Sequence, residues 1–502
     1  MMKKLTCMIL GLAMAGMIVI SCGKEENGAY EKPAPDDGSS AGQIPEESGE
    51  SEKIEYMGYM FPEADYGGHE FKILNFEMQE WAYTAMCAEE QTGDAINDSI
   101  YMRNVVVEEK LGIKINDIRV AWGAMTAPLN NSVKAGTDDY DIALLNAYES
   151  GKMAQKGMFL NLNDIAALEL GEPWWDQNAN KSLEIAGKLY FTTTDSSAFT
   201  YDLMCTMFFN KQMLADLGLE NPYELVLGNK WTMDKLLEMM RAAARDTDGD
   251  GVFTYEDIWG LATHAVQDIH FFAGGKMVLV DKDGDSRPVL RIPDERFVGA
   301  YAKVREIFTL ANGYCISAGS NEGKTAGKTE ELGSPEKFFM ANKALFLGQC
   351  LSIAQMMRES ETDFGIIPHP KYNESQDSYY SLMDGNFPTL TVPVTQNDPE
   401  MVGVVMNALT AVSSTTLKYA YYDISLNNKL IRDEDSLAML DIELQNRVYD
   451  LAMIYGWGDM TAQFRQAAFS PTGENPMTVF EKYAEKTQTS IEKMLNDFDE
   501  IE

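Results

Sequence analysis

Histidine and cysteine are scarce in this chain. The 502 residues contain four histidines and six cysteines, and no H-E-x-x-H or C-x-x-C motif relates them. The four cysteines after residue 22 cannot be paired from their spacing, and Cys205 and Cys350 lie in apolar runs, where a buried inert thiol is the commoner outcome. The chain therefore predicts no zinc site and no metal-assisted catalysis.

Recognisable nucleophile and phosphate motifs are also missing. The stretch Gly38–Gly42 has the spacing of a nucleophile elbow, but no strand precedes it and no helix follows it. Gly323-Lys324-Thr325 has the end of a P-loop, yet Ala318 stands where the first glycine belongs. These patterns favour a binding protein over an enzyme.

Basic residues are half as numerous as acidic ones. There are 41 Lys and Arg against 78 Asp and Glu, a net charge of −37. Removal of the first 22 residues would take away Lys3 and Lys4 and no acid, which leaves 41 − 2 = 39 basic residues and a net charge of 39 − 78 = −39. Nucleic acid and bare anionic membranes are therefore excluded as partners.

The N-terminus has the pattern of a secretory signal. Two lysines precede the apolar run 8–20, which is too short to span a bilayer. Ser21-Cys22 then resembles a bacterial lipobox, in which Cys22 is diacylated, and two acyl chains suffice for stable anchoring. The alternative is an ordinary signal peptide with a chance cysteine. Residues 23–65 are acidic and poor in apolar side chains, which predicts a disordered tether. The mature protein is thus expected outside the cell, lipid-anchored to the outer face of the cytoplasmic membrane.

The folded part begins with alternating strand and helix patterns. Residues 69–76 and the stretches "IKINDI" and "YDIALL" are typical of strands, and helical spacing occupies the segments between them, the first ending at Gly112. This βαβαβ order predicts an α/β fold with a mostly parallel sheet. Further on, "WTMDKLLEMMRAAAR" predicts an amphipathic helix capped by Thr232, and "KALFLGQ", "DFGIIPHP" and "PTLTVPV" predict strands.

An aspartate-rich loop follows that amphipathic helix. It fits the calcium-loop pattern, in which ligands come from positions 1, 3, 5, 7, 9 and 12, here Asp246, Asp248, Asp250, Val252, Thr254 and Asp257. Asp replaces the usual Glu at position 12, and Gly260 interrupts the exit helix, so the paired helices of a calcium sensor are missing. The loop predicts a structural Ca²⁺ site between a helix and the next strand, with a metal-free acidic turn as the alternative.

The ordered set of these features resembles a known family. A lipobox, an acidic tether, a βαβαβ start, "GKLYFTTTDSS", "MFFNKQML" before a long helix, and "FFMANKALFLG" followed by "DFGIIPHPK" are similar to the extracellular solute-binding proteins of ABC importers. Within these, the chain looks like the family that includes maltose-binding protein. The resemblance covers nearly all of residues 66–460.

The resemblance implies a periplasmic-binding-protein type II fold, in which two discontinuous α/β lobes close over a ligand about a hinge. Lobe I would comprise residues 66–193 and 364–412, and lobe II residues 194–363 and 413–502. By the same analogy the protein would be a monomer.

The family's element order also implies which side chains face the cleft between the lobes. On lobe I we expect Asn146, Tyr148, Asp195, Asp384 and Asn386, with Trp175 either at the rim or in the core. On lobe II we expect His270, Phe271, Gln349 and Trp457, of which Trp457 is the foremost candidate for an aromatic platform, with a core tryptophan as the alternative. Arg447, amid apolar positions of a helical pattern, predicts a structural ion pair.

The function implied is capture of a carbohydrate, in particular an oligosaccharide, and its delivery to the transmembrane subunits of an ABC permease, without catalysis. Three alternatives stay open: a non-sugar cargo such as a polyamine, which Asp195 and Asp384 would suit, a ligand sensor for a signalling receptor, and a secreted glycosidase using two carboxylates.

Overall fold

The computed structural model describes residues 56–78, 82–264, 267–308, 313–318, 334–357, 360–427, 433–469 and 473–501. The predicted signal peptide, the predicted acylation site Cys22 and the predicted tether up to residue 55 lie outside these residues. The prediction of a disordered tether is wrong for residues 56–65, because Tyr56 and Tyr59 are buried and the Tyr59 ring packs edge-to-face on Trp174. Within the described part of the chain, no helix is both long enough and apolar enough to cross a bilayer.

The first sheet has the predicted βαβαβ topology. Its strands β1 (His69–Glu77), β2 (Ile113–Ala121) and β3 (Ile142–Asn146) are parallel, and a later strand, Pro388–Thr391, joins antiparallel to β3. Gly112 ends the first helix with φ 61°, the left-handed conformation that glycine adopts at little cost. We call the part of the molecule built around this sheet lobe I.

The second sheet has five strands. They are β4 (Cys205–Asn210), β5 (Trp259–His264), β8 (Cys315–Ala318), β9 (Ala344–Cys350) and β10 (Phe364–Ile367), in the order β10-β4-β9-β5-β8. Strand β4 is antiparallel to both of its neighbours, and β5 is parallel to β8 and β9. We call the part built around this sheet lobe II.

Two small pairs of strands complete the described sheets. An antiparallel hairpin is formed by β6 (Val280–Lys282) and β7 (Pro288–Leu290), and β11 (Ser381–Leu382) pairs in parallel with β13 (Arg447–Val448); the strand Pro388–Thr391 is β12.

Helices cover both sheets. Those up to β8 are α1 (Ala95–Leu111), α2 (Thr126–Ala135), α3 (Ala147–Ala154), α4 (Gln177–Leu183), α5 (Phe199–Asp202), α6 (Lys211–Asp216), α7 (Pro222–Leu227), α8 (Met233–Ala243), α9 (Asp268–Gly274) and α10 (Glu295–Ile307). Those after it are α11 (Pro335–Met340), α12 (Ile353–Met357), α13 (Pro399–Thr415), α14 (Leu417–Asn427), α15 (Glu434–Gln445), α16 (Leu451–Tyr455), α17 (Met460–Phe469) and α18 (Pro476–Glu500). Short 3₁₀ turns occupy Trp122–Ala124, Leu162–Asp164 and Trp457–Asp459.

Several sequence patterns are resolved differently in the structure. The segment around residues 188–195 forms isolated bridges, and residues 199–202 form a short helix before β4. The prediction placed β10 in lobe I, but β10 pairs with β4 of the lobe II sheet. The amphipathic helix capped by Thr232 is confirmed, because the Thr232 side chain accepts from the backbone N–H of Lys235.

Candidate functional site

A cleft of about 460 Å³ lies where strands of both sheets end. Strands β1 and β2 lead into Met78 and Trp122 on the lobe I side, and β5 and β9 end at His264 and Cys350 on the lobe II side. In open α/β sheets ligands bind outside the carboxyl ends of the strands, so this position is the expected one for a ligand. The remaining lining residues are Phe199, Leu203, Gln267, Ser334, Glu336, Gln349, Ser352, Ile353, Met356, Asp384 and Asn386.

One part of the cleft is apolar and aromatic. The Trp122 ring makes edge-to-face contacts with Phe76 and Phe199, with ring centroids 4.8 and 6.4 Å apart, which fix its position. Met356 is 50% exposed although it is a large apolar side chain. Such surface is suited to the apolar face of a ring-shaped ligand.

A chain of hydrogen bonds forms the polar part. The Glu336 carboxylate accepts from Gln349 Nε2 at 2.6 Å and lies 3.1 Å from His264 Nε2. Gln349 Oε1 accepts in turn from Gln267 Nε2 at 3.2 Å and from the Cys350 backbone N–H at 2.8 Å. Burial by itself would raise the pKa of Glu336, but hydrogen bonds from His264, Ser334 and Gln349 outweigh it and lower the pKa to about 2. Glu336 is therefore ionised at neutral pH.

One residue of the cleft lining, Cys350, belongs to a disulfide. Cys205 on β4 and Cys350 on β9 are paired cross-strand neighbours and are joined covalently. The expectation of two inert thiols was therefore wrong, because antiparallel pairing brings together two residues that are 145 positions apart in sequence. Cys87 and Cys315 are free thiols.

The connection from lobe II back to β12 supplies a second carboxylate. Asp384 Oδ1 accepts from the backbone N–H and from Nδ2 of Asn386, at 2.9 and 2.8 Å. The Tyr148 ring packs on Gly385, where a Cβ atom would lie 2.2 Å from the ring. Only glycine therefore fits at position 385. Burial raises the pKa of Asp384, against the lowering by Asn386.

Of the ten predicted ligand-binding residues, Gln349, Asp384 and Asn386 line this cleft, and Tyr148 packs beside it. Asn146 is buried and caps α3 by accepting from the Glu149 N–H. Asp195 lies apart from the cleft lining, 3.8 Å from Lys418 Nζ. Because Asp384 lines the cleft and Asp195 does not, the cleft does not favour a polyamine bound by both acids.

The other four predicted residues are in the cores. Trp175 is 2% exposed and donates from Nε1 to Asn407. His270 and Phe271 are buried against His369, with ring centroids 5.6 and 5.0 Å away.

Trp457 is 3% exposed and stacks on Tyr455. The foremost candidate for the aromatic platform therefore lies in the core, because α18 covers its 3₁₀ turn. The predicted ion pair of Arg447 is confirmed, with Asp176 at 2.8 Å.

Sequence reasoning missed Met78, Trp122, His264, Gln267 and Glu336. The first three follow or end β1, β2 and β5, so a systematic search of strand ends would have found them. Gln267 and Glu336 lie outside strands, and only the fold brings them to Gln349.

The aspartate-rich loop connects α8 to β5, as predicted, and no exit helix precedes β5. Carboxylate oxygens of Asp246, Asp248 and Asp250 lie within 4.8 Å of one another, a spacing suited to one cation. Asp257 is fully buried, and its two oxygens accept from the Thr247 and Thr254 backbone N–H groups at 2.8 and 2.7 Å. The first three positions thus fit Ca²⁺, whereas the predicted ligand at position 12 closes the loop instead.

Comparisons with known proteins agree with this architecture. Residues 96–324 match the family model described as bacterial extracellular solute-binding protein. No curated protein sequence matches the chain.

Solved structures with a similar fold include three sugar-bound examples. An ABC substrate-binding protein from Listeria monocytogenes in complex with cycloalternan has a TM-score of 0.51 at 13% identity, over 86% of this chain and 99% of that one. A cyclo/maltodextrin-binding protein with maltotetraose has a TM-score of 0.54 at 14% identity, over 84% and 97%. The maltose/maltodextrin-binding domain from Bdellovibrio bacteriovorus bound to maltotriose has 0.51 at 13% identity, over 85% and 100%.

The family match over residues 96–324 and the shared fold confirm the predicted resemblance to bacterial extracellular solute-binding proteins. The family model describes solute-binding proteins, the class that the sequence predicts.

Proposed function

We propose that the protein captures a carbohydrate in the cleft between its lobes and delivers it to an ABC permease. The observation that carries the proposal is the juxtaposition of Trp122 with the polar chain of Glu336, Gln349 and Gln267 around one cavity. The apolar face of a sugar ring can stack on the Trp122 ring, and its hydroxyl groups can form hydrogen bonds with the polar chain. The sugars named in the structures of similar fold support the same class of ligand.

Isothermal titration of the folded part of the chain with mono- and oligosaccharides tests this proposal. Trp122→Ala should weaken the binding of whichever sugar binds by at least about tenfold, because an aromatic contact is lost from the site. Tyr419→Ala removes an aromatic side chain that is 66% exposed and outside the cleft, and should leave the affinity unchanged. Absence of binding to every sugar would refute the proposal, and consumption of a sugar would favour the glycosidase alternative.

Lipid anchoring and delivery are part of the same proposal. Acylation of Cys22 would retain the protein at the outer face of the cytoplasmic membrane, where the permease subunits are. Cys22→Ala should release the protein from the membrane fraction into the medium. Its continued retention at the membrane would contradict the anchor.

We also propose a structural role for Ca²⁺ at Asp246, Asp248 and Asp250. The cation would neutralise three adjacent carboxylates and stiffen the α8–β5 connection. Calcium should raise the midpoint of thermal unfolding, and Asp248→Asn should reduce that shift, whereas Asp285→Asn, in another acidic turn, should not. An identical shift in both variants would contradict the site.

A further inference from the structure

The orientation of the amides in the cleft follows from the Glu336 carboxylate. An ionised carboxylate only accepts hydrogen bonds, so the atom of Gln349 that lies 2.6 Å from it is the NH₂ group. Gln349 therefore turns Oε1 away from Glu336, and the Cys350 N–H, which only donates, lies 2.8 Å from that oxygen and fixes the same orientation independently. In this chain of hydrogen bonds each glutamine therefore donates from its NH₂ group toward Glu336.

The same order of donors and acceptors determines which atom of the Gln267 amide remains without a hydrogen-bond partner. Gln267 must use its NH₂ group for Gln349 Oε1, so its own Oε1 is an acceptor. Gln267 is 3% exposed, and this oxygen is buried without a hydrogen-bond partner among the described residues. A buried acceptor without a partner costs free energy, and a ligand that donates a hydrogen bond would remove that cost.

Two carboxylates face the same cavity. Glu336 is only 3% exposed, and Asp384 directs Oδ1 to Asn386. Both residues line the cleft together with Gln267. The cleft lining therefore contains two acidic residues and a glutamine whose carbonyl oxygen is buried without a hydrogen-bond partner among the described residues. Hydroxyl and ammonium groups complement these atoms, whereas a ligand carboxylate or phosphate would meet like charge at low dielectric.

On the basis of the proposed sugar-binding function, we propose that the cleft selects neutral or amino saccharides and rejects uronate or phosphorylated ones. The selecting residues are Glu336, Asp384 and Gln267. Glu336 and Asp384 exclude the anion, and the Gln267 carbonyl oxygen binds a ligand hydroxyl or ammonium group.

The test uses matched probes. The folded protein is titrated with glucose, glucosamine and glucuronate, with the galactose, galactosamine and galacturonate series, and with partial hydrolysates of starch, chitosan and polygalacturonate. Binding is detected by native mass spectrometry and quantified by calorimetry. The uronate of any series that binds should bind at least about tenfold more weakly than the neutral or amino member.

Variants then assign the selectivity to residues. Glu336→Gln combined with Asp384→Asn should reduce the discrimination between the neutral and the uronate member by at least about tenfold. Glu238→Gln removes one charge from a side chain that is 65% exposed and outside the cleft, and should leave the discrimination unchanged. Gln267→Met removes the unpartnered acceptor and should weaken the binding of the neutral sugar by about three- to tenfold.

The outcomes are separable. Equal or tighter binding of a uronate would overturn the inference and leave the proposed function standing. No binding to any of the saccharides would instead refute the proposed function. If the double variant lowers the midpoint of thermal unfolding, the two single variants Asp384→Asn and Gln267→Met are measured in its place.

Discussion

Trp457 and Tyr455 stack with their rings nearly parallel, 5.1 Å between centroids and 4° between planes. Trp457 is buried in a hydrophobic core that includes residues of β1 and β3, and the partly buried Tyr455 packs against that core, although the chain around both lies near the C-terminus. The most prominent aromatic candidate in the sequence is therefore a packing residue.

Replacement of Trp457 should accordingly affect stability and spare binding. Trp457→Ala should lower the free energy of unfolding by about 3–5 kcal/mol, and Trp457→Phe by much less, because the indole Nε1 has no hydrogen-bond partner among the described residues. Chemical denaturation and calorimetry measure the two quantities. A loss of sugar affinity with unchanged stability would contradict this prediction and indicate that Trp457 contacts the ligand.

Reduction of the Cys205–Cys350 disulfide should destabilise the protein. The bond closes a loop of 145 residues, and its loss should lower the unfolding free energy by about 3–5 kcal/mol. The double variant Cys205→Ser, Cys350→Ser should unfold at lower denaturant concentration than the wild type without reductant, and reductant should not change it further. Cys87→Ser, at a free thiol, serves as the control. Equal midpoints with and without reductant in the wild type would contradict the prediction.

The β6–β7 hairpin contacts lobe I from lobe II. The Lys282 ammonium donates to the backbone carbonyls of Lys181 and Glu184 at the C-terminus of α4, each at 2.5 Å, and the Ala186 N–H donates to the Ser286 carbonyl. Lys282→Met should lower the unfolding free energy by about 1 kcal/mol, because a cation at a helix C-terminus is lost.

Hydrogen exchange locates the effect of that change. Backbone amides of residues 181–188 should exchange faster in Lys282→Met than in the wild type. Lys276→Met is the matched control, since Lys276 pairs with Asp377 on the surface of lobe II. Unchanged exchange in residues 181–188 would show that the hairpin contact is dispensable.

Glu443 should make stability depend on pH. It is fully buried and accepts hydrogen bonds from Thr206 and Ser381, each at 3.0 Å. Burial raises its pKa to about 8, and the two hydroxyl donors offset this only in part. Between about pH 4.5 and 8 the folded state therefore holds a proton that the unfolded state has lost. The contribution of this proton to the free energy of unfolding is complete below about pH 4.5. It falls as the pH rises from about 4.5 to 8, by at most about 1.4 kcal/mol per pH unit.

Glu443→Gln should remove this component from the pH profile of unfolding. Glu434→Gln, at an exposed position of the same helix, should retain it. Denaturation at pH 5, 6, 7 and 8 measures both variants, and parallel profiles for wild type and Glu443→Gln would contradict the assignment.

The candidate site could be predicted from the sequence only in part. Gln349 was found because it ends a strand whose pattern is clear, and Asp384 and Asn386 because they precede one. His264 also ends a strand and Trp122 follows one, so the same rule applied at every strand would have found both. Glu336 and Gln267 have no such local signal, since their role depends on a hydrogen-bond chain between segments distant in sequence.

The sequence by itself determined the α/β class, the order of the first elements, the cap at Thr232 and the resemblance to solute-binding proteins. Hydrophobic period and capping are local properties, so neighbouring residues suffice to specify them. Only the tertiary structure decided that Trp122 faces the cleft and Trp457 the core, that Cys205 meets Cys350, and that β10 belongs to the second sheet. Those outcomes depend on which distant segments pack together, because burial and pairing are properties of the assembled layers.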